Sequence, residues 1–340
     1  MDKIPYIGCT DNQTAEQKEK NIKLVEIVAA IAPVEWKEKT DWTTYPIRNQ
    51  DGSSQCVCMT LATEMGIIFK QKYGEFIDFS SSFPYKQRGG SYGGCTSNDV
   101  YNLFPGYGNV FESILPSQNL SESQVEAIII KNYLKDLAIP FTIGRVESPI
   151  DFETAASTVQ ATGKGVMVWF RFSHEEWTSI PQVLPQPTTS GHSVTVVDFL
   201  LGNAALNAKY GINLVIGKKY LVIQDSWGLS YAVNGYRFIS EEYFKARCFL
   251  ESYLKAFQKI TMEEQIALDL PFFDGTIVSA QKCFLYEGFF PKNVDFVEKW
   301  GPTTRSSCID FQKKYGILPA LGNFGPITKA KLLELYGKKK

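Results

Sequence analysis

Apolar positions recur at helical spacing along the first half of the chain and gather into short β-branched and aromatic runs along the second. Residues 15–31 mix apolar and charged positions, with Lys18, Lys20 and Lys23 toward the polar face, which predicts a short leading helix. The turn-rich Asn49-Gln50-Asp51-Gly52-Ser53-Ser54 gives way to residues 56–73, apolar at helical spacing and stopped by Gly74. Serine before that run predicts the N-cap and puts Cys56 in the first helical turn. Arg88-Gly89-Gly90-Ser91-Tyr92-Gly93-Gly94 reads as a loop, and residues 121–137 and 151–162 read as helices with polar starts. Beyond Gly163, residues 165–172, 193–201, 220–224 and 236–239 predict strands. A helical half followed by a strand-rich half predicts an α+β domain with a cleft at the interface.

The last stretch of sequence has a different texture. Trp300-Gly301-Pro302-Thr303-Thr304-Arg305, followed by Phe311, is echoed by Phe324-Gly325-Pro326-Ile327-Thr328-Lys329, followed by Leu333. Such doubling predicts one small helical unit used twice, with Pro in each first turn and threonine capping it. The expected organisation is an N-terminal helical extension over 1–33, a main domain over 34–260, a linker over 261–274 and a small all-α domain over 275–340.

Composition narrows the function. The 340 residues carry 35 basic against 36 acidic side chains, which argues against nucleic acid as a partner. At 44% hydrophobic and 21% charged, the chain can bury a sizeable core. No apolar run approaches the roughly 20 residues of a membrane span. Asp2, Asp11 and Glu16 precede the apolar stretch and Glu26 interrupts it, so no secretory signal is expected and the export route stays open. The cysteines at 9, 56, 58, 95, 248, 283 and 308 are seven, an odd number unlike a disulfide scaffold, and at least one must be unpaired.

There are only two histidines, His174 and His192, so imidazole-dependent catalysis must use one of them. His192 opens the run Ser193-Val194-Thr195-Val196-Val197, where a side chain at a strand edge can face a cleft, whereas His174 sits in a charged, solvent-facing stretch. A cysteine at a helix start gains from aligned backbone N–H groups, which favour the thiolate, and Cys56 meets that condition. It needs an imidazole as proton partner, and the imidazole needs an acceptor, which Asp225 in Gln224-Asp225-Ser226-Trp227-Gly228 can supply. Gln50 is placed to meet a developing oxyanion together with the Cys56 N–H. Cys58, Cys248 and Cys283 read as core thiols. Cys56, Cys58 and Cys95 lack a second paired motif, so neither a metal nor a cofactor is expected.

Over residues 32–260 the sequence resembles the papain-like cysteine peptidases. Asn49-Gln50 precedes Cys56 as the oxyanion glutamine precedes that family's nucleophile; Gly93-Gly94 looks like its substrate-binding glycine pair; and Asp225-Ser226-Trp227-Gly228 parallels its Asn-Ser-Trp-Gly. His192 lies 136 residues after Cys56, in the usual range, and Asp225 lies 169 after, which an insertion over 201–217 would explain. The resemblance implies a peptide or protein substrate, Cys56 as nucleophile, His192 and Asp225 as its partners, Gln50 at the oxyanion and Trp227 shielding the His192–Asp225 bond. Ser53-Ser54-Gln55-Cys56-Val57 departs from the family's Cys-Gly-Ser-Cys-Trp, and the disulfide partner just before the nucleophile is absent. Asp225 in place of asparagine adds a negative charge, so a Cys56/His192 ion pair should persist to higher pH. With only about forty residues ahead of the domain, no long inhibitory propeptide and no zymogen control are expected.

Residues 275–338 resemble the peptidoglycan-binding three-helix domain of bacterial and phage wall enzymes, through Phe311-Gln312-Lys313-Lys314-Tyr315-Gly316, Gly322-Asn323-Phe324-Gly325-Pro326-Ile327-Thr328 and Lys331-Leu332. This implies peptidoglycan as a partner. The leading expectation is a cysteine peptidase tethered to the cell wall. Its rivals are a peptidoglycan cross-link or amide hydrolase and a non-catalytic wall-binding protein on the same fold.

Overall fold

The computed structural model describes residues 8–17, 33–37, 42–90, 93–185, 188, 190–257, 273–291 and 294–337. Residues 15–17 are helical; the rest of the expected leading helix and nearly all of the expected linker lie outside the described residues. The chain divides into two compact units, 1–130 with 141–258 and 131–140 with 259–340. Among the described residues no helix is long and apolar enough to cross a membrane.

The first unit is built on a six-stranded antiparallel sheet in the order β3 (Ile143–Ser148), β8 (Cys248–Phe257), β4 (Val166–Phe172), β5 (Ser190–Leu201), β6 (Lys219–Gln224), β7 (Tyr236–Ser240). Period-two alternation sorts its side chains: Leu221 and Ile223 join one core layer while Tyr220 and Val222 join the other. A bulge in β5 between Val196 and Asp198 inverts the alternation, so that Val194 and Val196 share a layer with Phe199. The helices Phe152–Thr162 and Glu241–Arg247 supply Phe152, Ala155, Val159, Tyr243 and Phe244 to that layer.

The helix Cys56–Tyr73 packs on β4, β5 and β8. Every residue from Cys56 to Phe69 is buried, so this helix is enclosed on all sides, with Glu64 paired to Arg145. It stops at Gly74, whose φ of +83° suits a residue without a β-carbon. Its N-cap is Gln55, which makes no side-chain cap, and not the expected serine. The Gln55 side chain is committed elsewhere, donating to Ser53 Oγ and accepting from the Ser81 and Ser82 hydroxyls.

Residues 121–137 form two short helices, Glu122–Glu126 and Asn132–Ala138, where the sequence predicted one. The β-branched run Ile128-Ile129-Ile130 separates them, since three such side chains crowd a helical turn. Two strands carry no sequence signal. β8 follows the helix Glu241–Arg247 without a turn residue and holds Glu251 and Lys255, while β3 contains Gly144, Arg145 and Glu147. The excess spacing between His192 and Asp225 holds a helix, Ala204–Tyr210, inserted between β5 and β6.

The second unit packs the helices Ile277–Tyr286, Pro302–Lys314 and Pro326–Tyr336 around Phe284, Phe311, Leu332 and buried Cys283 and Cys308. Helix Asn132–Ala138 belongs here through Tyr133, 4.5 Å between ring centroids from Phe296, and the pair Lys131–Asp295 at 3.3 Å. The doubled motif is a doubled hydrogen-bond device. Gln281 donates to Thr304 Oγ1 at 2.8 Å and accepts from Val297 N; Gln312 donates to Thr328 Oγ1 at 2.8 Å and accepts from Gly322 N. The threonines are therefore not helix caps. Gly301 and Gly325 hold those positions without side-chain caps, and Thr304 and Thr328 are turned into the core to meet a glutamine.

Candidate active site

Cys56 is the first residue of its helix and fully buried. β5 carries His192 opposite Phe170 of β4, and Asp225 follows directly after β6. The three converge. His192 Nε2 is 2.7 Å from Asp225 Oδ1, and both side chains are completely buried. The other ring nitrogen, Nδ1, is buried and has no hydrogen-bond partner within ordinary limits, although the ring and the Cys56 thiol are close enough to shift each other's ionisation.

Two side chains that sequence reasoning missed complete this arrangement. Asp225 Oδ2 accepts from Arg237 Nε at 2.7 Å and from Trp177 Nε1 at 2.9 Å, while Oδ1 also accepts the Ser226 N–H at 2.7 Å. Arg237 further donates to the Trp177 and Thr178 carbonyls. The signal for Arg237 was available. Tyr236-Arg237-Phe238-Ile239 is an apolar strand run interrupted by one charge, and a buried guanidinium must find an anion. Trp177 carried no comparable mark.

The electrostatics follow. Burial opposes ionisation of Asp225, but Arg237 and His192 outweigh it and hold the carboxyl well below the usual range. Burial alone would lower the His192 pKa, yet the Asp225 charge and hydrogen bond, with Cys56, lift it to about 9. The Cys56 thiol is depressed well below its ordinary value, first by the Cys9 thiol and then, against burial, by His192. Arg237 keeps Asp225 ionised, and the Asp225 charge in turn is the main cause that raises His192.

Gln50 bridges the helical half and the sheet. Its N–H donates to Ser226 O at 2.9 Å, its Oε1 accepts from Ser226 Oγ, and its Nε2 donates to Ser53 O, each at 2.6 Å. An amide nitrogen has two N–H groups, so one remains for a ligand. Trp227 lies 5.4 Å from His192 between centroids, and the exposed His174 stacks on Trp227 at 5.8 Å. Gly93 touches Ser54, where a β-carbon would come within 2.9 Å of Ser54 Oγ, and the Gly94 N–H donates to the Tyr85 hydroxyl. The glycine pair forms no ladder itself; the strand after it does.

That strand, β2 (Cys95–Thr96), pairs in parallel with β1 (Cys9–Thr10), and the Cys95 N–H donates to Gly8 O at 3.1 Å. The space between β2 and His192 is thus taken by the chain's own residues. A β-carbon on Gly8 would stand 2.8 Å from Cys56 Sγ and 2.3 Å from Gly191 O; one on Gly191 would stand 2.5 Å from Cys9 O. Only glycines permit this approach. Beyond it, Asn12 N donates to Ser97 Oγ and Asn98 N to Asn12 Oδ1, fixing the segment to the rim. Residues 8–10 thus cover Cys56.

No protein-family model and no curated protein matches the sequence. Among solved structures, xylellain, a cysteine protease from Xylella fastidiosa, aligns with a TM-score of 0.52 and 16% identity over 68% of this chain and 88% of that one. The cysteine protease and lectin-like domains of Cwp84, a surface layer associated protein of Clostridium difficile, align with a TM-score of 0.50 and 15% identity, over 74% of this chain and 61% of that one. The chain has the papain-like cysteine protease fold. In this papain-like domain the helix bearing Cys56 and the sheet bearing His192 form the two halves, as the sequence predicted. The small C-terminal unit has three principal helices, Ile277–Tyr286, Pro302–Lys314 and Pro326–Tyr336.

Proposed function

We propose that this chain is a cysteine peptidase in which Cys56 attacks a peptide carbonyl. The observation that carries this reading is the His192 ring, tied through Nε2 to a fully paired Asp225 while its buried Nδ1 has no hydrogen-bond partner beside a depressed thiol. In the resting pair the thiol proton is on His192 and Cys56 is a thiolate. Attack forms the Cys56 thioester after a tetrahedral stage whose oxyanion is met by the Cys56 N–H and the second Gln50 N–H. His192 Nδ1 passes its proton to the leaving amine, then takes one from the water that hydrolyses the thioester. Asp225, held by Arg237 and Trp177, keeps the ring in register. Gly93 and Gly94 shape the rim along which an extended substrate pairs with backbone, at Cys95, once residues 8–10, which hold that edge, are displaced.

The C-terminal unit, in this reading, holds the enzyme on peptidoglycan; its support is the sequence resemblance and the doubled three-helix motif. Sedimentation of the full chain with purified sacculi tests it, and a chain left wholly in solution removes the tether. The catalytic reading is tested by an epoxysuccinyl thiol inhibitor on fully reduced protein. Labelling should map to Cys56 alone and vanish in His192→Ala. Slow labelling spread over several cysteines would overturn it. Wall-fragment release without cleavage of denatured protein would move the substrate to peptidoglycan.

A further inference from the structure

The chemistry above gives Cys9 no step, yet Cys9 follows the residue packed on Cys56 Sγ, and the two buried thiols shift each other's ionisation. The approach is built from both sides. Gly8 brings its backbone against Cys56 Sγ, Gly191 beside His192 makes room for Cys9, and a β-carbon at 191 would lie 3.3 Å from Cys9 Sγ. The β1–β2 pairing and the Asn12 contacts with Ser97 and Asn98 anchor the segment on its far side. We propose that Cys9 and Cys56 form a reversible disulfide, made by exchange with small-molecule disulfides of the glutathione class and opened by the corresponding thiols. The bond itself rests on this geometry; its consequence, a latent enzyme, rests on the reading of Cys56 as nucleophile.

The exchange has a defined order because the two sulfurs differ. Exchange starts from a thiolate. Cys56 is the depressed thiol, while burial and the neighbouring Cys56 raise Cys9. The Cys56 thiolate attacks the external disulfide, forming a mixed disulfide and releasing one small thiolate. Cys9 then attacks the Cys56 sulfur, the Cys56–S–S–Cys9 bond forms, and the second small thiolate leaves with the Cys9 proton. Two electrons pass from the protein thiols to the external disulfide, which becomes two thiols. Cys58 and Cys95, 3.7 Å apart, form a second thiol pair in the same unit and are the natural competitor. Burial raises Cys95 well above the ordinary thiol value, which disfavours it as initiator.

The test is to equilibrate the full chain with glutathione disulfide, block free thiols, digest without reduction and map the linked peptides. The expected product joins Cys9 to Cys56 with the loss of two hydrogen masses, abolishes epoxysuccinyl labelling of Cys56, and reverts with dithiothreitol. In Cys9→Ser the reaction should stop with glutathione retained on Cys56. A linkage confined to Cys58 and Cys95, or glutathione retained on wild-type Cys56, would overturn the proposal. Absent Cys56 labelling in reduced protein would instead remove the peptidase reading while the disulfide map still stands on its own.

Discussion

Both units bury polar side chains among aromatic residues, but they treat them in opposite ways. In the C-terminal unit Gln281 and Gln312 are neutral, and each is matched at both ends by Thr304 and Val297 N or by Thr328 and Gly322 N. At the Cys56 site of the first unit the central buried groups are charged, and pairing stops at one ring nitrogen. Asp225 receives four donors, yet Nδ1 of the histidine it holds is left without a hydrogen bond. A complete network fixes architecture, whereas an incomplete one in a low-dielectric site leaves a ring nitrogen free to exchange a proton. On the proposed reading, this contrast separates a motif that shapes a small fold from one that performs chemistry.

The sharpest way to break the comparison is at the incomplete end. Cys56→Ala and His192→Ala should each reduce peptide hydrolysis by at least about a thousandfold with little change in thermal midpoint. Full activity in either variant would make this network structural like the other. Next in size is Arg237→Met, which leaves Asp225 buried without its cation and should cost about 3–5 kcal/mol in denaturant unfolding. Asp225→Asn together with Arg237→Met should recover part of that loss, and no recovery would show that the two charges are not coupled.

The pH profile tests the same pair. The His192 pKa lies near 9, above its ordinary value, so the imidazolium persists as pH rises and is lost through that value. Labelling of Cys56 should hold from mildly acidic pH, where the thiolate is already formed, to about 9. In Asp225→Asn the alkaline limit should fall toward the ordinary imidazole value of about 6.5. An unchanged limit would mean that Asp225 does not set the ring's charge.

At the complete end, Gln312→Leu leaves Gly322 N unpaired and removes the donor to Thr328 Oγ1, and should cost about 1–3 kcal/mol, read as faster hydrogen exchange over residues 273–337. Cys56 labelling should not move. The smallest effect is expected for Gly8→Ala, whose methyl group cannot coexist with Gly191 O and Cys56 Sγ. Displacing the segment should speed Cys56 labelling severalfold without altering stability, and slower labelling would mean that residues 8–10 support the site instead of covering it.

Much of this was legible because single residue types carried it. Two histidines left one candidate, a serine-rich turn before an apolar helix placed Cys56, and the interrupted spacing to Asp225 marked the Ala204–Tyr210 insertion. The doubled Gly-Pro-x-Thr text marked two helix starts, though the threonines proved to face glutamines. β3 and β8 were invisible because their Arg145 and Glu251 find buried partners only once folded: Glu251 accepts from Ser148 Oγ and Asp151 N, and Arg145 donates to Ser252 and to Glu64. Local propensity cannot register such compensation.

The sequence by itself determined the Cys56 helix, the strands β4 to β7 and the candidates Cys56, His192, Asp225 and Gln50, since helix periodicity, strand alternation and residue scarcity are local properties. Only the tertiary structure decided the charge balance at Asp225 and the cover over Cys56. Arg237, Trp177, Gly8 and Cys9 come from distant parts of the chain, and their effects depend on distances of a few ångströms that no local pattern encodes.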